Sequence, residues 1–392
     1  MEDLLFLPQR CPYPPNKGDK IATWHILKFL LARYNVHLGT FIDDPADWHH
    51  ADFLRSKCAS VHLEGLTPRT AKIKSLRGFL TGEALSVAYY RHPGMQNWVN
   101  QRLAGGVKRV FVFSSAIAQF VTQAQGCTRI MDFCDLDSDK WRQYAQTCSW
   151  PMSWVYAREA KKLLEWERKI AHTFDRSLFI SAAEAADFKA LAPESASKVD
   201  VLSNGVDADY FSPAKQYDTP FTSQPQLVFT GAMDYRPNID AVVWFAHEAF
   251  PHIRRQQPNA GFCIVGSKPA AEVQALVALP GITVTGRVED VRPYLAHAAC
   301  VVAPLRIARG IQNKVLEGMA MAKPVVCSPQ ALEGIEAKEG KEVHMADTPR
   351  AFAAACLQVM RGEVEMGQAA RARVLETYDW GARLARLDQF LA

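Results

Sequence analysis

Pro304-Leu-Arg-Ile-Ala-Arg-Gly-Ile-Gln-Asn-Lys-Val-Leu-Glu-Gly-Met-Ala-Met-Ala-Lys-Pro-Val-Val326 is the most informative stretch of the 392-residue chain. It leaves a short apolar run at 300–303, turns through a loop holding Arg306, Arg309 and Gly310, enters a helix and runs into a second apolar run at 324–327. That succession is one unit of a parallel sheet, because parallel neighbours are joined only through a crossover. On the helix, Asn313 and Glu317 stand four apart on one face, and Val315 and Met319 share another. The polar pair can therefore face a ligand while the apolar pair packs on the sheet.

The alternation extends through the chain. Apolar runs at 227–230, 261–265, 282–284 and 342–345 complete one series, and runs at 4–7, 36–41, 61–63, 109–113, 129–133 and 177–180 make another. Helical periodicity fills the gaps, including 19–33 and a charged segment at 153–172. The stretch SPAKQYDTPFTSQPQ at 212–226 is rich in Pro, Ser, Thr and Gln and reads as a linker. The expected fold class is α/β, with two doubly wound, Rossmann-like domains facing a cleft. Their expected bounds are 1–211 for an acceptor-side domain, 227–377 for a donor domain, and 378–392 for a helix returning to the first; a helix at 363–377 is a further candidate to pack there.

Composition supports an ordinary globular chain: 48% hydrophobic and 22% charged residues exclude disordered, collagenous and coiled-coil classes. Nine cysteines at wide spacings, with no C-x-x-C, indicate neither a disulfide framework nor a zinc site. No run approaches the roughly 18 to 20 apolar residues of a membrane span, and MEDLLFLPQR is no signal peptide, so the expected location is the cytoplasm. The G-x-G-x-x-G, G-x-x-x-x-G-K-[ST], H-E-x-x-H and G-x-S-x-G patterns are all absent. Dehydrogenase, P-loop ATPase, zinc protease and α/β-hydrolase readings lose weight accordingly.

What remains is anion binding at a plain helix N-terminus. Gly310 permits close backbone approach, the amides of Ile311 and Gln312 are expected to point at an anion, and Arg309 and Lys314 add positive charge. This combination suits a diphosphate. Glu317 is placed to accept hydrogen bonds from ribose hydroxyls.

With these residues in place, the chain resembles the retaining glycosyltransferases of family 4, which have the GT-B fold. The run ending Glu317-Gly-Met-Ala-Met-Ala-Lys-Pro-Val-Val326 is similar to the second half of that family's E-x7-E motif, with Glu317 as the ribose-binding second Glu. Arg309 stands where the family has the first Glu, a departure that suggests contact with phosphate or a charged sugar. Ser203-Asn-Gly-Val-Asp207 and Thr230-Gly-Ala-Met-Asp-Tyr-Arg-Pro-Asn-Ile-Asp240 extend the resemblance over nearly the whole chain. Asp135-Leu-Asp-Ser-Asp-Lys-Trp141, Arg306–Lys314 and Tyr13–Asp19 narrow it toward the sugar transferases of bacterial exosortase and exopolysaccharide clusters.

The resemblance implies transfer of a hexosyl group, with retention, from a UDP- or GDP-sugar to a glycan or lipid-linked acceptor. No cofactor is implied beyond the nucleotide sugar, no metal is required, and no metal ligands are assigned. It places Gly18 and Gly231 beside the diphosphate, Arg236 on the phosphates, and Arg287 and Val288 at the nucleobase. A sugar epimerase and a non-catalytic nucleotide-sugar-binding subunit are the rival readings.

Asp135, Asp137 and Asp139 form D-x-D-x-D, but Lys140 and Gln146 stand where an EF-hand needs Gly and Glu. Helix capping by Asp137 or Ser138 is the plain alternative, and Asp135 is the candidate to orient an acceptor hydroxyl. Residues 1–190 hold 25 cations against 19 carboxylates, and 191–392 hold 20 against 22. Within the basic half, 67–80 interleaves Arg69, Lys72, Lys74 and Arg77 with Ile73, Leu76 and Leu80, and 141–156 is crowded with Trp and Tyr. That composition fits peripheral contact at the inner face of the cytoplasmic membrane, with a solvated helix and an aromatic core as the alternative. Nucleic acid is not an expected partner, since pI ≈ 8.5 is below the range of about 9 and above.

Overall fold

The computed structural model describes residues 1–15, 18–222, 225–308 and 311–391. The chain divides into two compact units, one of residues 1–203 with 384–392 and one of residues 204–383. The first is a seven-stranded parallel sheet of β1 (Asp3–Pro8), β2 (Asn35–Ile42), β3 (Ser60–Gly65), β4 (Arg109–Phe113), β5 (Thr128–Cys134), β6 (Arg176–Phe179) and β7 (Val199–Val201), in the order β3-β2-β1-β4-β5-β6-β7. The second is a six-stranded parallel sheet of β8 (Gln226–Thr230), β9 (Gly261–Val265), β10 (Ile282–Val284), β11 (Cys300–Ala303), β12 (Val325–Cys327) and β13 (His344–Met345), in the order β10-β9-β8-β11-β12-β13.

Both sheets wind outward from their first strand in two directions, so each has a switch point, at β1/β4 and at β8/β11. The central strands are apolar throughout because both faces carry helices: Leu227, Val228 and Phe229 of β8 and Cys300 to Ala303 of β11 are fully buried. Register across each switch is regular, with Phe6 opposite Phe111 and Leu227 opposite Cys300.

The division falls between Ser203 and Asn204, upstream of the 212–226 stretch read as a linker. Packing is the reason. Tyr217 and Phe221 lie against the second core, His297 Nε2 is 2.7 Å from the Tyr217 carbonyl, and the Arg371 guanidinium donates to the carbonyls of Phe211 at 3.0 Å and Ala208 at 3.2 Å. Residues 363–377 also belong to the second unit. The expected helix at 378–392 is two short pieces, Trp380–Leu384 and Leu387–Leu391, and only its end joins the first unit. There Arg386 pairs with Asp200 at 2.7 Å and Arg33 with Asp388 at 2.8 Å. Among the described residues no helix is long and apolar enough to cross a membrane.

One buried ion pair braces the first unit. Lys20, on the helix Gly18–Leu31 that follows β1, donates to both carboxylate oxygens of Asp47 at 2.8 and 2.6 Å, with both side chains almost fully buried. Removing one partner leaves the other charge without compensation, whereas an apolar pair of similar volume restores packing. Lys20→Met should therefore lower the unfolding free energy by about 3–5 kcal/mol in denaturant titration. Lys20→Met combined with Asp47→Leu should recover most of that loss; a double variant as unstable as the single one contradicts this account.

Candidate active site

At the β8/β11 switch the two crossover helices lie on opposite faces of the sheet, and the loops entering them bound a crevice. The loop after β8 is stitched to the loop after β9. Gly231 N–H donates to the Val265 carbonyl at 3.0 Å, Met233 N–H to Ser267 at 2.8 Å, and Ala270 N–H to Met233 at 3.1 Å. The two backbones touch so closely that a Cβ on Gly266 would collide with the Gly231 carbonyl. Asn238 ties the same loop to its helix, donating from Nδ2 to the Ala232 carbonyl at 2.9 Å.

The loop after β11 is held from below. Ser328 Oγ donates to the Leu305 carbonyl at 2.5 Å, and Ser328 N–H bonds the Ala303 carbonyl at 3.1 Å. Arg306 reaches across the switch and grips Asp240 of the helix Arg236–Trp244 through two nitrogens, Nε at 2.9 Å. Arg306 thus spends its charge on a carboxylate that joins the two loops. Arg309 and Gly310 lie outside the described residues.

Gln312 is the N-cap of the helix Asn313–Ala320, in extended conformation, and Ile311 precedes it. The amides that open the first turn are those of Asn313 and Lys314, two positions beyond the expected pair Ile311 and Gln312. The faces fall as the spacing requires: Val315 and Met319 are fully buried, Asn313 is exposed and Glu317 half-buried.

Lys314 and Glu317 form the polar centre. The Lys314 ammonium sits 5.3 Å from the centroid of the Phe229 ring. Burial pulls its pKa down to about 8, against a partial upward pull from Glu317. Burial raises the Glu317 pKa, offset by Lys314 and by Thr230. The buried Thr230 hydroxyl faces the Glu317 carboxylate, and the buried Asn238 Oδ1 closes no hydrogen bond among the described residues. Thr230, Asn238 and the Arg306–Asp240 bridge escape sequence reading because their roles depend on loops that meet only in three dimensions.

Around this centre, Arg236 opens its helix as an exposed cation loosely paired with Glu272 at 3.3 Å. Beyond β10, Gly286 takes a left-handed backbone at φ 71° with open space around it, Arg287 is exposed and Val288 is half-buried on the core. The arrangement offers an anion two free amides and two cations, and offers hydroxyls one carboxylate. A cavity of about 590 Å³ in this unit lies elsewhere: it is lined by Tyr217, His297 and Lys323, at the opposite ends of β11 and β12.

The first unit has its own pocket, about 390 Å³, at the β1/β4 switch. Gln9 and Ser114 stand at its strand ends, with Tyr89, Tyr90, Trp141 and Tyr144 as aromatic walls and Asp137 and Lys140 as charged groups. Ser114 and Cys134, at the ends of β4 and β5, hold left-handed backbones at φ 79° and 63°, which non-glycine residues adopt at a cost. Gly18 opens its helix in open space.

Asp135 does not line the pocket. It holds Lys140 at 2.5 Å, and Lys140 also reaches Asp137 at 3.3 Å, while Asp139 binds Arg142 and Gln143. Neither Asp137 nor Ser138 caps the helix Asp137–Thr147 through its side chain. Carboxylates from two other helices do so instead, Glu184 accepting from Leu136 N–H at 3.4 Å and Glu167 from Ser138 N–H at 3.2 Å. Burial lifts Glu167 to about 8, and burial with Asp135 nearby lifts Glu184 to about 7.

Residues 224–362 match the family model described as Glycosyl transferases group 1. No curated protein matches the chain by sequence. Solved structures match it over nearly its whole length. Anabaena HepE in complex with UDP and glucose aligns with TM-score 0.65 at 13% identity, covering 100% of this chain and 99% of that one. Sucrose-phosphate synthase from Thermosynechococcus elongatus aligns at 0.64 and 15%, covering 99% and 98%. A glycosyltransferase from Rickettsia africae aligns at 0.64 and 13%, covering 99% and 97%. The chain shares the fold of these GT-B glycosyltransferase structures.

The lowered pKa of Lys314 has a measurable sign. The ammonium is charged below about 8 and loses its proton above, so a diphosphate that needs the charge binds best on the acid side. By isothermal titration, the Kd for UDP should rise about tenfold per pH unit above that value, with proton uptake on binding near it. Lys314→Arg should flatten the profile; an equally steep rise in that variant removes Lys314 from the site.

Proposed function

We propose that the chain transfers a hexosyl group from a UDP- or GDP-sugar to a hydroxyl of a lipid-linked glycan acceptor, with retention of configuration, in exopolysaccharide assembly. The observation that carries this reading is the convergence of the Asn313 and Lys314 amides, the Lys314 ammonium and the Glu317 carboxylate at the β8/β11 switch. Negative charge grows on the leaving diphosphate in the transition state. Fixed amides, Lys314 and Arg236 would stabilise it without reorganisation and without a metal. Glu317 and the Thr230 hydroxyl beside it would hold the ribose, and the backbone at Gly286 to Val288 the base. Gly231 is the proposed glycine contact to the diphosphate, with Arg309 and Gly310 in the same role.

The pocket at the β1/β4 switch favours transfer over the epimerase and binding-subunit readings, since neither needs an acceptor site. Its aromatic walls suit sugar rings, and Asp137 with Lys140 can orient a hydroxyl. Asp135 then acts by positioning Lys140.

Candidate UDP- and GDP-sugars are first screened for thermal stabilisation of the protein, and turnover is then followed with the donor that stabilises it. Lys314→Ala and Glu317→Ala should each reduce transfer at least roughly tenfold, the loss of about 1.4 kcal/mol of transition-state stabilisation, with EDTA leaving wild-type turnover unchanged. Wild-type rates in both variants would dispose of the site, and isomerised donor formed without acceptor would establish the epimerase.

A further inference from the structure

The 67–80 and 141–156 segments, far apart in sequence, form one face of the first unit. Phe79 stacks on Trp154 with ring centroids 5.9 Å apart and planes 9° from parallel. Arg158 sits 4.8 Å over Phe79 and donates to the carbonyls of Gly78 at 2.5 Å and Glu83 at 3.1 Å. Glu159 accepts from the N–H groups of Leu85 at 2.6 Å and Ser86 at 2.8 Å. The 78–86 stretch is thereby fastened to the helix Met152–Thr173.

What this framework presents outward is unusual for a surface bathed only in water. Leu80 is 91% exposed, Trp150 79% and Ile73 70%, with Leu76, Tyr144, Met152 and Trp154 also exposed. Among them stand Arg69, Lys72, Lys74 and Arg77, and none of the four has an acidic partner among the described residues. The face borders the pocket at the β1/β4 switch, because Lys72, Ser75, Trp141 and Tyr144 line it.

We propose that this face docks on an anionic bilayer, so that an acceptor carried by lipid reaches the adjoining pocket from the membrane surface. The charge pattern selects this occupant. Protein interfaces are depleted in Lys, and a second copy of the chain would set unpaired cations against cations. A bilayer surface accepts both features, aromatic and aliphatic groups entering the headgroup region while Lys and Arg stems extend to lipid phosphates. The acceptor part of the inference rests on the function proposed above; the docking part does not.

The test is co-sedimentation of the full chain with phosphatidylcholine vesicles, with and without phosphatidylglycerol, and with UDP binding measured in parallel. Phosphatidylglycerol should tighten binding at least roughly tenfold, and added salt should reverse the gain. Ile73→Asp with Leu80→Asp, and separately Lys74→Glu with Arg77→Glu, should each weaken vesicle binding about tenfold while UDP binding persists, which shows that the variants are folded. Equal binding to both vesicle types, or variants that sediment like wild type, overturns the proposal. Self-association that Leu80→Asp abolishes would assign the face to a second copy and overturn it too. If neither UDP nor GDP binds the wild type while vesicles do, the donor-site reading falls and the docking face stands.

Discussion

A parallel sheet that winds both ways from its first strand must separate its crossover helices at one point, and in the second unit that point lies between β8 and β11. Backbone groups that would be tied up in sheet or helix are released there. The first-turn amides of the Asn313–Ala320 helix have no partner within it, and the loop after β8 carries Gly231 next to the β9 loop. The remaining features of the site serve to hold those two loops in register. Asp240 and Arg306 join them across the switch, Ser328 anchors the base of one, and Asn238 ties the other.

Burial gives the polar centre its chemical character. Lys314 and Glu317 lie on the same helix, the one pulled down to about 8 and the other pushed up, because the core beneath them withholds water from both. Each charged form is costly beside that core, so an opposite charge brought near Lys314 stabilises its ammonium and hydrogen-bond donors brought near Glu317 stabilise its carboxylate. The same logic in the first unit produces a different result. Glu167 and Glu184 cap the N-terminus of a helix from outside, and Asp135 neutralises Lys140, so this acidic cluster shapes a pocket wall.

The sequence was most readable where the physics is local. Near-continuous apolar strands such as 109–113, 261–265 and 300–303 match the observed strands residue for residue, because central parallel strands are buried on both faces. The edge strand β7 has three residues, too few for a periodic signal, while β13, His344–Met345, fills the last two positions of the run read at 342–345. Proline and serine content suggested a linker at 212–226, yet Tyr217 and Phe221 bury themselves on the second core, an outcome composition does not record. The face pattern of Asn313, Val315, Glu317 and Met319 was legible from spacing, whereas the helix start was displaced, since Gln312 adopts the capping conformation. Helix capping by Glu167 and Glu184 and the Arg306–Asp240 bridge join residues tens of positions apart, and no local pattern carries them.

The central claim is that a nucleoside diphosphate rests on the free amides at the β8/β11 switch. Amide hydrogen exchange in the presence of UDP tests this directly, since an amide that donates to phosphate exchanges more slowly. The account predicts protection of Asn313, Lys314 and the loop following β8 with UDP, and little with uridine alone. Protection confined to segments around Tyr217, His297 and Lys323, at the opposite end of the sheet, would contradict it.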